Sequence, residues 1–210
     1  MGEEYKVSEA VQTVYGQLTA DAAVKTGIEF LAADHAATIA EQISINEVPA
    51  PPFKEDERAL FYMAKLQELG RADVRQDDGG DVFGVFRGCG NGPRLFVSAH
   101  LDTVFAEATD VTVKERDGKL YAPGIADNAR GLAAILSVIR ALRSSGVQTV
   151  GDIVFGGNVG EEGLGDLRGI KAFFRDNTDI DGYITVDGVK EPIITYLATG
   201  SRRYEITFRG

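Results

Sequence analysis

Histidine, aspartate and glutamate side chains recur at the ends of short apolar runs, where they could bind a metal ion or transfer a proton. His100 and Asp102 follow the apolar run 95–99 and are two residues apart, so in extended chain both side chains point to the same side. Open α/β sheets bind ligands beyond the carboxyl ends of their strands, so similar positions in later runs are candidates to converge with this pair. These positions are Asp127, the adjacent Glu161 and Glu162, and Asp187.

One imidazole and several carboxylates form a ligand set that suits Zn²⁺, Mn²⁺ or Co²⁺. Without a cation, gathered carboxylates repel one another and their pKa values rise. Lys and Arg are scarce in these motifs, so a divalent metal is the natural counter-charge. Within the pair, one of Glu161 and Glu162 could bind metal while the other acts as a general base toward water.

Each motif also has a structural interpretation. A His-x-Asp pair at a strand end is usually part of a polar rim, and Asp127 could cap the helix that follows it. Glu161-Glu162 could be a solvated loop, and Asp187-Gly188 an ordinary turn. Taken jointly, at successive strand ends, the motifs favour the metal hypothesis. His35 is the other histidine, and we interpret it as a packed or half-buried helix residue because it falls on an apolar helical stripe.

Apolar runs and helical periodicities alternate along the chain, which predicts an α/β sheet with helices on both faces. Asp117-Gly118 lies between two strand-like runs and predicts a hairpin. The predicted helices span 22–45, 55–69, 129–145 and 167–174. The predicted strands of a central mixed sheet span 82–87, 95–99, 152–159 and 182–187, with further strands at 193–197 and 204–208.

Composition narrows the function classes. The 210 residues are 44% hydrophobic, which indicates a globular protein, and the net charge of −10 argues against nucleic-acid or anionic-membrane partners. Cys89 is the single cysteine, so an internal disulfide and a Cys-rich zinc site are excluded. No stretch is long and apolar enough to span a bilayer, and the acidic start lacks the order of a secretory signal. We therefore expect a cytoplasmic protein.

Four blocks of the sequence contain the candidate residues: SAHLDTV, APGIADNARGLAAIL, GNVGEEGLGDLRG and TVDG. They resemble signature blocks of a zinc-dependent exopeptidase and deacylase family. That family includes peptidase T, acetylornithine deacetylase, succinyl-diaminopimelate desuccinylase and carnosinase. The resemblance implies a three-layer α/β/α catalytic domain with a mixed, mostly parallel sheet. Residues 21–210 would be its N-terminal part, and residues 1–20 a polar leader or loose helix.

The resemblance also implies a role for each candidate residue at a centre of two Zn²⁺ ions, with Mn²⁺ or Co²⁺ as possible replacements. Asp102 would orient His100, and Glu161 would be the general base. A cis peptide bond is expected between Asp127 and Asn128. The implied metal ligands are His100 and Asp187 for the first ion, Asp127 bridging both, and Glu162 for the second.

One feature departs from the family pattern. Family members have a further histidine ligand for the second metal, after an inserted lid or dimerisation domain, and His35 is at no family ligand position. The resemblance therefore implies a chain truncated before the lid, and a 210-residue form that lacks peptidase activity on its own. The full-length protein could be a homodimer.

The function implied is metal-dependent hydrolysis of an amide bond in a small peptide, by an aminopeptidase or tripeptidase of peptidase T type. The block GNVGEEGLGDLRGIKAF resembles the peptidase branch more than the deacylase branch. Two alternatives stay open: an N-acyl amino acid deacylase with the same dinuclear centre, and a truncated non-catalytic fragment that retains the fold.

Overall fold

A computed structural model describes residues 7–188, 193–197, 200, 202 and 204–209. Four helices and then five strands come first, so the predicted alternation of helices and strands is found only from residue 129 onward. The helices are α1 Glu9–Ala20, α2 Ala22–Ala33, α3 His35–Asn46, α4 Asp56–Glu68, α5 Ala129–Ser145 and α6 Arg168–Asp176. The strands are β1 Ala72–Gln76, β2 Val82–Phe86, β3 Leu95–His100, β4 Lys114–Arg116, β5 Lys119–Tyr121, β6 Ile153–Asn158 and β7 Gly182–Thr185.

The central sheet has five strands in the order β1-β2-β6-β3-β7. β3 lies between β6 and β7 and pairs with both in parallel, whereas β2 pairs antiparallel with β6 and with β1. All strands except β2 therefore run in one direction, and the predicted mixed, mostly parallel sheet is confirmed. The carboxyl ends of β3, β6 and β7 meet at one edge, which is where the candidate residues follow.

Two apolar cores cover the two faces of the sheet. One core joins α3, α4 and α5 to the sheet through buried residues such as Tyr62, Leu136 and Phe155. The other packs Phe173 of α6 on Phe96 of β3, with stacked rings whose centroids are 3.8 Å apart. The predicted three-layer α/β/α arrangement is confirmed.

Glycine makes the centre of the sheet possible. A Cβ at Gly156 would lie 2.7 Å from the carbonyl oxygen of Val82, and one at Gly157 would lie 2.9 Å from Leu101 Cδ2. The Gly-Gly pair of β6 therefore admits close neighbours that any side chain would displace. The predicted hairpin is also present, with β4 and β5 joined through Asp117 and Gly118, both at positive φ.

The prediction of one helix over 22–45 is wrong. The chain breaks at Asp34, whose carboxylate lies 2.7 Å from Arg140 Nη2 and accepts a hydrogen bond from Ser137. These partners are on α5, so a tertiary polar cluster overrides the helical periodicity. His35 consequently starts α3 as an exposed residue and is not packed.

The strands predicted at 193–197 and 204–208 are also wrong, because the structure assigns no strand to these segments. Their apolar side chains lie in solvent, with Ile194 and Phe208 each 90% exposed. A strand needs a paired neighbour and a surface to pack on, and neither segment pairs with a strand in the described part of the chain. The strand β1 was not predicted, because its sequence ADVRQ lacks an apolar run.

Among the helices that the structure describes, none combines the length and apolar character needed to cross a bilayer.

Candidate metal centre

His100 ends β3 as a buried side chain, 4% exposed, on the α6 side of the sheet. Its Nδ1 lies 2.9 Å from the backbone carbonyl oxygen of Asp102. A carbonyl oxygen only accepts hydrogen bonds, so Nδ1 carries the hydrogen and donates it. In neutral His100 the lone pair is therefore on Nε2, which is the nitrogen available to a metal ion.

Nε2 of His100 faces carboxylates from two other parts of the chain. Asp127 Oδ1 lies 2.8 Å away and Asp187 Oδ1 lies 3.6 Å away. Glu162 joins them, because ligand atoms of His100, Asp127 and Glu162 all lie within 4.8 Å of one another. The donor set, one imidazole nitrogen and carboxylate oxygens around a small space, fits a divalent cation such as Zn²⁺, Mn²⁺ or Co²⁺.

Asn128 ties the loop that carries Asp127 to the segment that carries Asp187. Its side-chain oxygen accepts the Gly131 N–H at 3.1 Å and so caps α5, while its Nδ2 donates to the Val186 carbonyl at 2.8 Å. The helix cap is therefore Asn128, and the structural interpretation of Asp127 as that cap is wrong. The peptide bond between Asp127 and Asn128 is cis, as the resemblance implied.

Asp102 is fully buried and holds the loop that follows β6. Its Oδ1 accepts the backbone N–H of Glu161 at 3.1 Å and its Oδ2 that of Glu162 at 2.8 Å. Burial opposes ionisation, but His100 and these two N–H groups outweigh it and lower the pKa of Asp102. Its carboxylate is 3.7 Å from His100 Nδ1, so the closer partner of the imidazole is its backbone carbonyl.

A second buried carboxylate, Asp81 just before β2, holds the start of the same loop, directly after β6. It accepts hydrogen bonds from Val159 N–H at 2.9 Å and from Asn158 Nδ2 at 3.1 Å. A Cβ at Gly169 would lie 1.9 Å from Asp81 Oδ1, so only glycine fits there. Burial raises the pKa of Asp81 to about 7, against the opposing effect of these hydrogen bonds.

We predict that Asp81 makes the folded protein less stable as the pH rises from about 4 to about 7. Its pKa is about 7 in the folded protein and 3.8 for an unperturbed Asp, so the folded state binds this proton more tightly than the unfolded chain. The stabilisation is full below the unfolded pKa and is lost as the pH rises through the folded pKa, by on the order of a few kcal/mol.

Urea unfolding of wild type and Asp81→Asn across this pH range measures the effect. The variant should show a smaller fall in the free energy of unfolding than wild type. Asp78→Asn, in the exposed part of the same turn, is the matched control and should follow the wild-type curve. Parallel curves for wild type and Asp81→Asn would contradict the assignment.

The candidate residues form a strongly acidic group with His100 at its centre. Burial, together with the charges of neighbouring carboxylates, raises the pKa values of Glu161 and Glu162. Burial disfavours a charged His100, but the nearby carboxylates of Asp102 and Asp187 raise its pKa to about 11. The proximity of His100 in turn lowers the pKa of Asp187.

Within the described residues, no Lys or Arg forms an ion pair with any of these carboxylates, and His100 lies within 4 Å of three of them, Asp102, Asp127 and Asp187. All six residues predicted from the sequence lie in one region, and Glu161 lines a small cavity together with His100. Sequence reasoning missed three residues whose hydrogen bonds hold segments next to the site: Asn128, Asp81 and Arg58. Arg58 carried a signal, because it lies at helical spacing with the buried Tyr62 and Leu66 of α4.

Comparison with known proteins gives the same family as the sequence blocks. Peptidase family M20/M25/M40 matches residues 96–207, more than half of the chain. A cysteinylglycine-S-conjugate dipeptidase of Corynebacterium striatum is 31% identical over 137 residues, which cover 59% of this chain and 30% of the dipeptidase. Carboxypeptidase G2 of Pseudomonas sp. (strain RS-16) is 32% identical over 109 residues, which cover 49% of this chain and 26% of that protein. The matched part of the chain thus spans less than a third of the length of either relative.

Solved structures share the fold. Aminopeptidase PepT from Bacillus cereus ATCC 10987 superposes with a TM-score of 0.62 at 24% identity, covering 71% of this chain and 42% of PepT. Human carnosine dipeptidase 1 superposes with a TM-score of 0.64 at 17% identity, covering 78% of this chain and 41% of that chain. The family match includes the segments that carry His100, Asp127, Glu162 and Asp187. The chain belongs to peptidase family M20/M25/M40.

Proposed function

We propose that this protein is a metal-dependent hydrolase that cleaves an amide bond of a small peptide, as an aminopeptidase or tripeptidase. The observation that carries the proposal is the convergence of His100, Asp127 and Glu162, whose ligand atoms lie within 4.8 Å of one another, with Asp187 3.6 Å from His100. Membership in a peptidase family supports the same reaction class, and dipeptidases stand among the relatives.

In this proposal, His100 and Asp187 would hold a first Zn²⁺ ion, Glu162 would hold a second, and Asp127 would be a ligand available to both. When bound, the ions would activate water and polarise the scissile carbonyl. His100 offers Nε2, because Nδ1 is committed to the Asp102 carbonyl. The Asp102 carboxylate fixes the backbone of both glutamates, so that one residue supports the ligands and the base.

Glu161 is the proposed general base. Its carboxylate accepts a proton from the attacking water as the water oxygen bonds to the scissile carbonyl carbon. The same carboxyl group then gives that proton to the leaving amine nitrogen as the carbon–nitrogen bond breaks. Burial and neighbouring carboxylates raise the pKa of Glu161, which brings it closer to a neutral working pH and makes it a more effective base and acid.

The first test is metal binding by the 210-residue chain, measured by calorimetric titration with Zn²⁺, Mn²⁺ and Co²⁺. We expect saturable binding of at least one of these ions and reversal by a chelator. Hydrolysis is then assayed with the longest natural form of the protein, on di- and tripeptides and on N-acyl amino acids. Faster turnover of N-acyl amino acids would favour the deacylase alternative, and no metal binding by any form would contradict the proposal.

A further inference from the structure

Arg58 of α4 is a fully buried arginine beside the candidate metal centre. Its guanidinium donates to three backbone carbonyls and, within the described residues, forms no ion pair. Nε donates to Val48 at 2.7 Å, Nη1 to Leu101 at 2.9 Å and Nη2 to Asn46 at 3.2 Å. A buried charge surrounded by neutral partners is costly, so a feature nearby must favour its retention.

That feature is the residue between His100 and Asp102. The Leu101 N–H donates to the Asn158 carbonyl at 2.6 Å, and the Leu101 carbonyl accepts from Arg58. Both backbone groups of Leu101 are thereby fixed, one to β6 and the other to α4. Since Leu101 joins the imidazole to the buried carboxylate, Arg58 sets the orientation of the chain at the point where the two side chains leave it.

The segment that Arg58 fixes leads directly into Asp102. The Asp102 carboxylate accepts the N–H of Glu161 at 3.1 Å and that of Glu162 at 2.8 Å. The placement of Leu101 therefore also affects where the loop that carries both glutamates is held.

We propose that Arg58 is a positioning residue of the metal centre: its guanidinium fixes Leu101 and, through the adjoining Asp102, the loop of Glu161 and Glu162. The inference rests on the proposed metal-dependent function. A merely structural role, in which Arg58 only anchors the segment after α3, would make the same contacts to Asn46 and Val48 but would leave metal affinity unchanged once the protein is folded.

Arg58→Lys and Arg58→Met separate the two roles. Lys keeps the charge but cannot reach three carbonyls from one nitrogen, and Met keeps the length without charge. We expect folded Arg58→Lys to bind Zn²⁺ about 10–100-fold more weakly than wild type, the loss typical of residues that orient metal ligands. Arg58→Met should lose at least as much.

Arg140→Lys is the control, because Arg140 is another arginine that makes several hydrogen bonds, although it is only partly buried. It lies on α5 about 18 Å along the helix from Asn128. The Arg140→Lys substitution should lower the melting temperature and leave Zn²⁺ affinity unchanged. If folded Arg58→Lys binds Zn²⁺ as tightly as wild type, the inference is wrong.

A measurement on wild type covers the case in which the Arg58 variants fail to fold. The chain has only two histidines, so the imidazole NMR signals of His100 are assigned by comparison with His35→Gln. Adding Zn²⁺ should shift the His100 signals and also the buried Arg58 guanidinium signals. If His100 responds and Arg58 does not, Arg58 is not coupled to the site and the inference falls while the proposed function stands. If wild type binds no Zn²⁺, the proposed function is wrong, and so is the inference that rests on it.

Discussion

Replacing Glu161 by Gln should lower the rate of amide hydrolysis by on the order of 10²–10⁴-fold, while metal content stays at the wild-type level. The amide cannot take a proton from water, but it retains the size of the carboxyl group. The Glu161 N–H bond to Asp102 Oδ1 involves the backbone, so the substitution leaves it in place. The loop should therefore keep its conformation and the ligands their positions.

The measurement pairs kcat with metal analysis on the longest natural form of the protein. Glu162→Gln is the matched variant, because the two residues are adjacent and share the Asp102 anchor. We expect Glu162→Gln to lose metal and Glu161→Gln to keep it. The reverse pattern would exchange the two roles, and equal metal content with equal activity would remove both residues from the proposed centre.

Replacing His100 by Ala should weaken Zn²⁺ binding by more than 100-fold. Changes in residues that only orient metal ligands already cost about 10–100-fold, and His100 is the single imidazole of the proposed donor set. The thermal stabilisation by Zn²⁺ should disappear with it, since a ligand present at about 100 times its Kd stabilises by about 2.7 kcal/mol.

His35→Ala provides the control for the loss of a histidine. His35 is exposed at the start of α3, and it lies outside the group that could hold a metal. Calorimetric titration and melting curves with and without Zn²⁺ should be the same for His35→Ala and wild type. If His100→Ala still binds Zn²⁺ tightly, the metal binds elsewhere and the proposed metal centre is wrong.

The sequence predicts the sheet and the position of the candidate site because both depend on strong local patterns. Short apolar runs mark β3 and β6, and the residues after them reach one edge of the sheet because these strands are parallel neighbours. Gly146 at φ 70 ends α5 where the sequence predicts. These features follow from properties of a few adjacent residues.

Features that depend on distant partners were not predictable from the pattern. The break at Asp34 depends on Arg140, more than a hundred residues later in the chain. The role of Asn128 depends on the Val186 carbonyl, and that of Arg58 on the Leu101 carbonyl. In each case a polar side chain bonds to a group whose location is set by the whole fold, so local periodicity can mark Arg58 as buried but does not identify its partner.

The place of β3 in the sheet has a consequence for synthesis of the chain on the ribosome. Both neighbours of β3 come later in the sequence, so both of its edges stay unpaired until β6 and then β7 emerge. At typical elongation rates this interval lasts on the order of 10 s. During it, Leu95–His100 is an apolar strand with open edges, the kind of segment that associates with other chains. Ribosome-bound chains whose synthesis stops before Ile153 should therefore depend on chaperones more than chains that extend past Thr185.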